Sequence, residues 1–220
     1  ASVLPVIREL RHFVVENAKS ARAFLKTIGM PVPIAELDIR EIPGRGKLGK
    51  STANTQELDA LLAPTGNGSA IGLVSEAGCP AVADPGADLV HRAHALGYRV
   101  VPHIGPSSLL LALMASGLGG QCFAFQGYLP QEASERQKAI KKLENSSKST
   151  DQTQIVIETP YRNSSLYTSL IEHLHPETRL CIAMALTTPE EHIRTLPVSA
   201  WRKVPAPAFN KQPAVFLFKQ

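Results

Sequence analysis

The residues best suited to hold a ligand lie in a segment rich in glycine and proline, residues 75–86, with the sequence SEAGCPAVADPG. Gly78 and Gly86 allow backbone conformations and close approaches that other residues do not, and the two prolines stiffen the segment. Such a segment can present a preformed cradle of backbone groups. It equally suits a structural loop in which Asp84 caps the following helix, and the residues alone leave both interpretations open.

A second turn of this kind, GPSS at residues 105–108, follows the next apolar run of the chain. Ser107, Ser108 and the free N–H groups of a helix start could bind a carboxylate there. Taken by itself, the turn also suits an ordinary serine N-cap. If the two segments follow neighbouring strands, they form the walls of a cleft.

Both segments lie where a predicted strand ends and a helix begins, which is where open α/β sheets bind ligands. The first half of the chain alternates short β-rich runs with helical periodicity. Strands are predicted over residues 12–16, 71–75 and 99–104, and helices over 19–28, 87–96, 108–116 and a segment capped by Asn54 with Glu57. This pattern predicts an α/β fold with parallel strands and crossover helices.

The glycine-rich run 117–120 predicts a linker between two domains, residues 1–118 and 119–220. Predicted strands follow over 122–125, 155–158, 180–186 and 214–218, with helices over 132–144 and 163–174 and a mobile polar stretch over 145–154. We therefore expect a second, smaller α/β domain with more antiparallel pairing.

Composition excludes several classes of protein. Of 220 residues, 44% are hydrophobic and 19% charged, which is typical of a globular chain, and the net charge of +4 mildly favours a polyanionic partner such as RNA. The longest apolar run, residues 109–115, is far shorter than the ~20 residues of a membrane-spanning helix. Cys79, Cys122 and Cys181 suit reduced, buried thiols. With no signal-peptide pattern and no metal-binding motif, we expect a cytoplasmic protein that binds no metal and no membrane.

Several stretches resemble the S-adenosylmethionine-dependent tetrapyrrole methylase superfamily. They are SEAGCPAVADPG at 75–86, VVPHIGPSSLLLALMASGL at 100–118, FAFQGYLP at 123–130 and IETPYR at 157–162. More narrowly, the chain is similar to the branch that contains the 2′-O-ribose methyltransferase of small-subunit ribosomal RNA. The matches keep the family's order from about residue 6 to the last residues, so the resemblance covers nearly the whole chain.

The resemblance implies two α/β domains of tetrapyrrole-methylase type, with S-adenosylmethionine in the interdomain cleft and usually a homodimer. It places cofactor contacts at Ser75, Glu76, Ala77, Gly78, Gly105, Pro106, Ser107, Ser108, Leu186 and Thr187. In such a site, backbone carbonyls suit the sulfonium and helix N-termini suit the methionine carboxylate. The family's first strand and its loop would precede Ala1, so either they lie upstream of this sequence or the site is incomplete. Because a missing central strand would expose the sheet, we expect the first of these.

Substrate contacts implied by the resemblance fall on Tyr161 and Arg162. Arg162 could bind a phosphate and Tyr161 could stack on a base. The alternative is that Arg162 pairs with Glu158 and closes the loop. Glu158 is also the nearest candidate for a catalytic base that takes a proton from a hydroxyl group.

One motif points to a different class of protein. Residues 44–51, GRGKLGKS, satisfy the phosphate-loop pattern of nucleotide hydrolases. However, the preceding candidate strand, 37–42, alternates apolar and charged residues as an edge strand does, and a helix capped at Asn54 starts too late to include Lys50. A basic loop that meets RNA phosphates is the favoured interpretation, and a P-loop hydrolase is the minor alternative.

The sequence therefore predicts a methyltransferase that acts on ribosomal RNA, at a ribose 2′-oxygen. The alternatives are a methylase of a tetrapyrrole or another small acceptor, and a non-catalytic homologue that binds S-adenosylmethionine or RNA. For an RNA acceptor, phosphate contacts are expected from two basic segments: Arg45, Lys47 and Lys50 in the loop, and Arg136, Lys138, Lys141 and Lys142 in a helix.

Overall fold

The computed structural model describes residues 3–43, 54–209 and 211–220, which form two compact units, Ala1–Pro106 and Ser107–Gln220. The predicted phosphate-loop motif at 44–51 lies outside the described residues. The division falls earlier than the expected boundary after residue 118. The reason is that the helix over 108–116 packs on the sheet of the second unit, so the glycine-rich run 117–120 lies inside that unit.

The first unit is built on a three-stranded parallel sheet with strand order β2-β1-β3. Each strand has four residues and lies within its predicted range of 12–16, 37–42 or 71–75. The elements are α1 (Leu4–Glu9), β1 (His12–Val15), α2 (Ala18–Thr27), β2 (Asp38–Glu41), α3 (Thr55–Gly66), β3 (Ile71–Val74) and α4 (Ala87–Ala95). The position of β2 at an edge agrees with its alternating sequence.

Helix ends in this unit follow the expected capping chemistry. The Asn17 side chain accepts hydrogen bonds from the backbone N–H groups of Lys19 and Ser20, and so begins α2. Asn54 and Glu57 form the predicted capping box at the start of α3. These caps satisfy N–H groups that would otherwise have no partner, and so fix where each helix begins.

The central strand β1 is buried on both faces, as a middle strand of a parallel sheet should be. Phe13 and Val15 point to one side, where they pack with Leu25 of α2. Val14 points to the other side and packs with Leu58 and other leucines of α3 and α4. The alternation of β1 therefore places α2 on one face of the sheet and α3 and α4 on the opposite face.

The second unit contains a five-stranded mixed sheet with order β4-β5-β8-β6-β7. Strands β4 and β5 are parallel, and the other neighbouring pairs are antiparallel. The elements are α5 (Ser108–Ser116), β4 (Phe123–Tyr128), α6 (Ala133–Thr150), β5 (Thr153–Ile157), α7 (Asn163–His173), β6 (Arg179–Met184), β7 (His192–Pro197), α8 (Val198–Trp201) and β8 (Ala214–Lys219).

Both faces of this sheet carry a core. On one face, Phe216 and Phe218 of β8 pack with Leu170 of α7 and with Trp201, whose indole N–H donates to the carbonyl of Leu180 at 2.8 Å. On the other face, Leu217 packs with residues of α5. Two layers of helices thus cover a sheet whose three middle strands are buried except for one end residue in each.

Two predictions about the elements were wrong, and so was the expectation that all three cysteines are buried. Residues 99–104 form no strand, because no described strand pairs with them, and Ile104 is 88% exposed. The stretch 145–154, expected to be mobile, mostly continues helix α6 to Thr150, where Asp151 ends it in a left-handed conformation. Cys79 is half-buried and Cys122 is exposed, whereas Cys181 is buried as expected, and burial raises the pKa of its thiol. Elements α1, β7 and α8 were not predicted.

Candidate functional site

In the first unit, the residues expected to hold a ligand lie at the carboxyl edge of the parallel sheet. Strand β1 ends at Val15 and β3 ends at Val74, and these two residues are paired across the sheet. Glu16 and Ser75, which follow them, therefore emerge side by side. This edge is where open α/β sheets bind ligands.

A pocket of about 170 Å³ opens at that edge. Its walls combine the ends of β1 and β3 with one side of α2, and its lining residues are Val15, Glu16, Asn17, Ser20, Ala21, Phe24, Val74, Ser75 and Glu76. The Ser20 hydroxyl donates to the Glu76 carboxylate, and the Glu76 N–H donates to Glu16 at 3.3 Å. The predicted residues Ser75 and Glu76 thus belong to a pocket whose other polar walls come from α2 and from the residues after β1.

The sequence analysis did not select Glu16, Ser20 or Phe24 as site residues. A signal for them was present, because the carboxyl ends of parallel strands meet at one edge and a short β1-to-α2 connection places the first turns of α2 beside that edge.

The segment that follows, residues 75–86, is held in an unusual backbone conformation. Gly78 and Gly86 have φ angles of +80° and +131°, and Ala81 and Ala83 have φ angles of +66° and +64°. For alanine, a left-handed conformation costs roughly 1–2 kcal/mol, which the surrounding structure must offset. Strain of this kind is concentrated at ligand-binding segments.

The second predicted turn, residues 105–108, spans the division between the units. In the first unit, the Cys79 thiol lies 3.7 Å from the carbonyl oxygen of Pro106, so the two predicted loops touch there. In the second unit, Ser107 is the N-cap residue of α5 but makes no side-chain capping hydrogen bond. The first turn of α5 therefore has no side-chain cap from the residue in that position.

In the second unit, strands β4, β5 and β6 run in the same direction, because β5 and β6 are both antiparallel to β8. Their carboxyl ends share one edge of the sheet. The loop that starts at Glu158 follows β5, and the predicted residues Leu186 and Thr187 follow β6. The structure thus places both predicted segments at the same edge.

Leu186 and Thr187 lie in a tightly hydrogen-bonded turn. Ala185 and Thr187 have φ angles of +47° and +67°, which is rare for a β-branched residue such as threonine. The turn is held because the Ala185 N–H donates to Pro213 at 3.0 Å and the Thr187 N–H donates to the Glu191 carboxylate at 2.8 Å. Leu186 packs against the same apolar cluster as Leu109 of α5.

In the loop that starts at Glu158, Arg162 pairs with Glu158, which is the second of the two arrangements expected from the sequence. The Glu158 carboxylate is buried, and its Oε1 accepts from the Thr159 N–H and from Arg162 Nη2, both at 2.7 Å. The Arg162 guanidinium also lies 5.7 Å from the ring centroid of Tyr161, which is 72% exposed. Glu158 is therefore committed to fixing this loop, a poor position for a catalytic base, whereas the Tyr161 ring is open to a stacking partner.

Two kinds of feature are absent from the described residues. No helix among them is both long and apolar enough to span a membrane. No three or more of their His, Cys, Asp and Glu side chains are grouped in a way that could hold a metal ion.

Comparisons with known proteins support the resemblance. Residues 7–200 match the family described as Tetrapyrrole (Corrin/Porphyrin) Methylases. "Ribosomal RNA small subunit methyltransferase I" of Pseudomonas aeruginosa is 30% identical over 212 residues, which cover 95% of this chain and 68% of the relative. The protein of the same name from Escherichia coli O157:H7 is 34% identical over 151 residues, covering 67% of this chain and 51% of the relative. The matched residues thus span 51–68% of the length of these relatives.

Solved structures share the fold at low sequence identity. The crystal structure of the methyltransferase CobJ matches with a TM-score of 0.61 at 19% identity, and the match covers 100% of this chain and 87% of the CobJ chain. The crystal structure of diphthine synthase matches with a TM-score of 0.60 at 13% identity, and the match covers 100% of this chain and 83% of the diphthine synthase chain. At these identities, the likeness establishes the architecture alone.

Proposed function

The chain belongs to the tetrapyrrole (corrin/porphyrin) methylase family, and from this membership we propose that it is an S-adenosylmethionine-dependent methyltransferase whose acceptor is ribosomal RNA. One observation in the structure carries the proposal furthest. Of the six non-glycine residues with positive φ among those described, four are Ala81, Ala83, Ala185 and Thr187. Thr187 is itself a predicted cofactor contact, and the other three lie in the same two loops as the predicted contacts 75–78 and 186–187. Backbone strain is retained where it has a use, and cradling a ligand is such a use.

The residues of the first unit fit the donor chemistry that the cofactor requires. Gly78 has φ of +80°, and a Cβ atom added there would meet no atom within 4 Å, so the loop is open to a ligand on that side. The carbonyl groups of residues 75–78 and the carboxylate of Glu76 can face a sulfonium. Pro106, which touches Cys79, brings the 105–106 backbone to the same loop.

The residues of the second unit fit the anionic and apolar parts of the cofactor. The first turn of α5 offers N–H groups to a carboxylate, because Ser107 makes no capping bond and the helix dipole favours negative charge there. Leu186 supplies apolar surface, and Thr187 a backbone turn that is already rigid. We propose Ser107, Ser108, Leu186 and Thr187 as cofactor contacts, together with Ser75, Glu76, Ala77, Gly78, Gly105 and Pro106.

When bound, S-adenosylmethionine supplies an electrophilic methyl group on a sulfonium. Transfer would form a C–O bond at the acceptor oxygen and break the C–S bond, which would release S-adenosylhomocysteine, and the hydroxyl proton would pass to a base or to water. Glu158 is poorly placed to take this proton, because its carboxylate is buried against Arg162. The contribution of this chain is to bind, orient and exclude water around the methyl group rather than to supply Glu158 as a base.

The acceptor is proposed from the relatives, which are named as small-subunit ribosomal RNA methyltransferases. We propose a ribose 2′-oxygen as the methylated atom, and a homodimer in the cytoplasm as the active form. Mass analysis of ribosomal RNA nucleosides from cells with and without the gene tests the acceptor. Loss of a 2′-O-methylated nucleoside supports the proposal, and an unchanged profile contradicts it.

Cofactor binding is tested by calorimetry with a pair of matched variants. Gly78 and Gly68 have φ angles of +80° and +82°, and an added Cβ meets no atom within 4 Å at either position. Valine therefore introduces the same local strain in both, but only residue 78 lies in the cofactor loop. We expect Gly78→Val to weaken S-adenosylmethionine binding about tenfold or more, the equivalent of one charged hydrogen bond, and Gly68→Val to leave it unchanged. Equal effects would reject the assignment of the loop.

A further inference from the structure

The loop between β6 and β7, residues 185–191, is closed by the side chain of its last residue, Glu191. Met184 at the end of β6 pairs with His192 at the start of β7, so the two ends of the loop lie next to each other. The Glu191 carboxylate reaches into the loop and accepts the N–H of Thr187 at 2.8 Å. None of the ion pairs found among the described residues includes Glu191, so its carboxylate is committed to this hydrogen bond.

This hydrogen bond acts on the strained backbone of the loop. Thr187 has φ of +67°, and steric contacts disfavour a left-handed conformation of such a residue by a factor of about 5 to 30. The other anchors of the loop, from the Ala185 N–H to Pro213 and from the Thr188 N–H to Ala185, do not involve Thr187. In the part of the chain that the structure describes, Glu191 is therefore the residue whose side chain holds Thr187 in place.

The closure also decides which backbone groups of the loop can meet a ligand. Because the Thr187 N–H is already bonded to Glu191, Thr187 can contact a cofactor only through its carbonyl group or its side chain. Leu186 differs, since no hydrogen bond among the described residues uses its N–H or carbonyl group. Its side chain packs on the apolar cluster that contains Leu113 of α5. The loop thus presents the two free backbone groups of an anchored residue.

The neighbouring residue, Glu190, provides a comparison within the same loop. Its carboxylate accepts from the Thr188 hydroxyl at 3.0 Å, whereas the Thr187 N–H donates to Glu191. Both glutamates are exposed and carry the same charge. A variant of Glu190 therefore reproduces the loss of negative charge but keeps the hydrogen bond that holds Thr187.

We propose that Glu191 is a positioning residue for S-adenosylmethionine, which keeps the turn at 186–187 in the conformation that binds the cofactor. The proposal rests on the proposed function, because it takes Leu186 and Thr187 as cofactor contacts. It goes further in two respects. It names the side chain that preorganises this wall of the site, and it removes the Thr187 N–H from the groups that can donate to the cofactor.

The test is calorimetry of the purified wild type and its variants with S-adenosylmethionine and with S-adenosylhomocysteine. In Glu191→Ala, Thr187 is free to relax, so roughly one molecule in ten keeps the binding conformation and the apparent affinity falls about tenfold. Glu191→Gln keeps an acceptor oxygen at the same reach, so its loss should stay below about threefold. Glu190→Ala should bind both compounds with wild-type affinity.

The two compounds separate positioning from attraction between charges. S-adenosylmethionine carries a positive sulfonium, whereas S-adenosylhomocysteine has a neutral sulfur in its place. A charge effect would act on the first compound, and it would also appear in Glu191→Gln and Glu190→Ala. Equal losses for both compounds in Glu191→Ala, with rescue by glutamine, support the proposal. A loss confined to S-adenosylmethionine, or an unchanged affinity in Glu191→Ala, would overturn it.

A double-mutant cycle with Thr187→Gly shows whether Glu191 acts through Thr187. Glycine adopts a positive φ without steric cost, so the turn should no longer depend on the carboxylate. In the Thr187→Gly background, we expect Glu191→Ala to weaken binding by less than about threefold. The same loss in both backgrounds would reject the proposal.

Two controls complete the design. If Trp201 fluorescence in urea shows that Glu191→Ala does not fold, Glu191→Asp replaces it, since its carboxylate is one methylene shorter and should give the same loss. A wild-type protein that binds neither compound would overturn the proposed function and this inference with it. A wild type that binds both compounds, with Glu191→Ala equal to it, keeps the proposed function and loses only this inference.

Discussion

Both units place candidate residues at the carboxyl edge of a sheet, but the strands of the two sheets differ in how deeply they are buried. In the first unit, only β1 is buried, and all four residues of β3 are half-buried. In the second unit, every residue from Ala214 to Phe218 of β8 is buried, and β8 has hydrogen-bonded neighbours on both sides. The second sheet is therefore the more strongly stabilised of the two.

This difference comes from strand position rather than from strand composition. The runs IGLV in β3 and AVFLF in β8 are both apolar, and either could be a buried strand. However, β3 lies at an edge of the described sheet, whereas β8 lies in the middle of a sheet with helices on both faces. A strand gains burial from its neighbours, which are distant in sequence, so an apolar run alone does not indicate how deeply it is buried.

The largest effect should come from the centre of the second unit. Phe216 is completely buried and packs within 5.8 Å, centroid to centroid, of Phe209. We expect Phe216→Ala to lower the free energy of unfolding of this unit by about 3–5 kcal/mol, since it leaves a large cavity. Trp201, the only tryptophan, lies in the same core, so its fluorescence in urea measures this unit selectively. A loss below about 1 kcal/mol would contradict the tight packing inferred for the second core.

A smaller effect is expected at the loop of the first unit. Gly86 has φ of +131°, and a Cβ added there would approach Leu73 Cδ2 to 2.9 Å. We expect Gly86→Ala to destabilise the first unit by about 1–3 kcal/mol, and to leave the Trp201 transition unchanged. Amide hydrogen exchange in β1 reports the first unit.

The matched control for Gly86 is Gly105→Ala. Gly105 also lies in a predicted cofactor loop, but its φ is not in the strained range and an added Cβ meets no atom within 4 Å. The amide hydrogen exchange rates of β1 in Gly105→Ala should match those of the wild type. If Gly86→Ala also shifts the Trp201 transition, the two units do not unfold independently, and the comparison between them fails.

Much of the fold could be predicted, because local signals fix helix ends and parallel strands. Asn17, Asn54 and Gly117 begin or end helices where capping rules place them. The strand over 99–104 was wrong, because the run VVPHI has β propensity but no described partner strand to pair with. Propensity indicates that a segment can be extended, and only a partner makes it a strand.

The candidate site was less predictable than the fold. The positions of Ser75, Ser107 and Thr187 at strand or helix ends follow from pattern and resemblance. The strain at Ala81 and Ala185 could not be predicted, because alanine in sequence carries no sign of a left-handed conformation. The closed Glu158–Arg162 pair was one of two alternatives, and only side-chain geometry could decide between them.

In the second unit, relief of backbone strain should raise the free energy of unfolding instead of lowering it. Thr187 is exposed with φ of +67°, a conformation that glycine adopts without cost. We expect Thr187→Gly to stabilise the second unit by about 0.5–1 kcal/mol in the Trp201 assay. Thr168→Gly, at an exposed position in α7, should instead destabilise it. Destabilisation by Thr187→Gly would mean that this turn is not strained.

The smallest effect concerns stability in acid. Each unit contains a carboxyl group whose pKa is lowered by hydrogen bonds, but the donors differ. In the second unit, the hydroxyl and N–H of Ser134 and the N–H of Glu135 lower the pKa of Glu132, the N-cap of α6, to about 2. In the first unit, a hydrogen bond from Arg92 lowers the pKa of Asp59. A carboxyl group whose pKa is lowered by folding contributes stability above its unfolded pKa and loses it as the pH falls.

For Glu132, this contribution is complete above the ordinary pKa of 4.5 and is lost between there and about pH 2. We expect Glu132→Gln to unfold at a lower urea concentration than the wild type at pH 6, and at nearly the same concentration at pH 2. The Trp201 transition measures both. Asp59→Asn should leave that transition unchanged at either pH, because its partner Arg92 lies in the first unit. A difference between Glu132→Gln and wild type that persists at pH 2 would assign the loss to packing of the cap rather than to its charge.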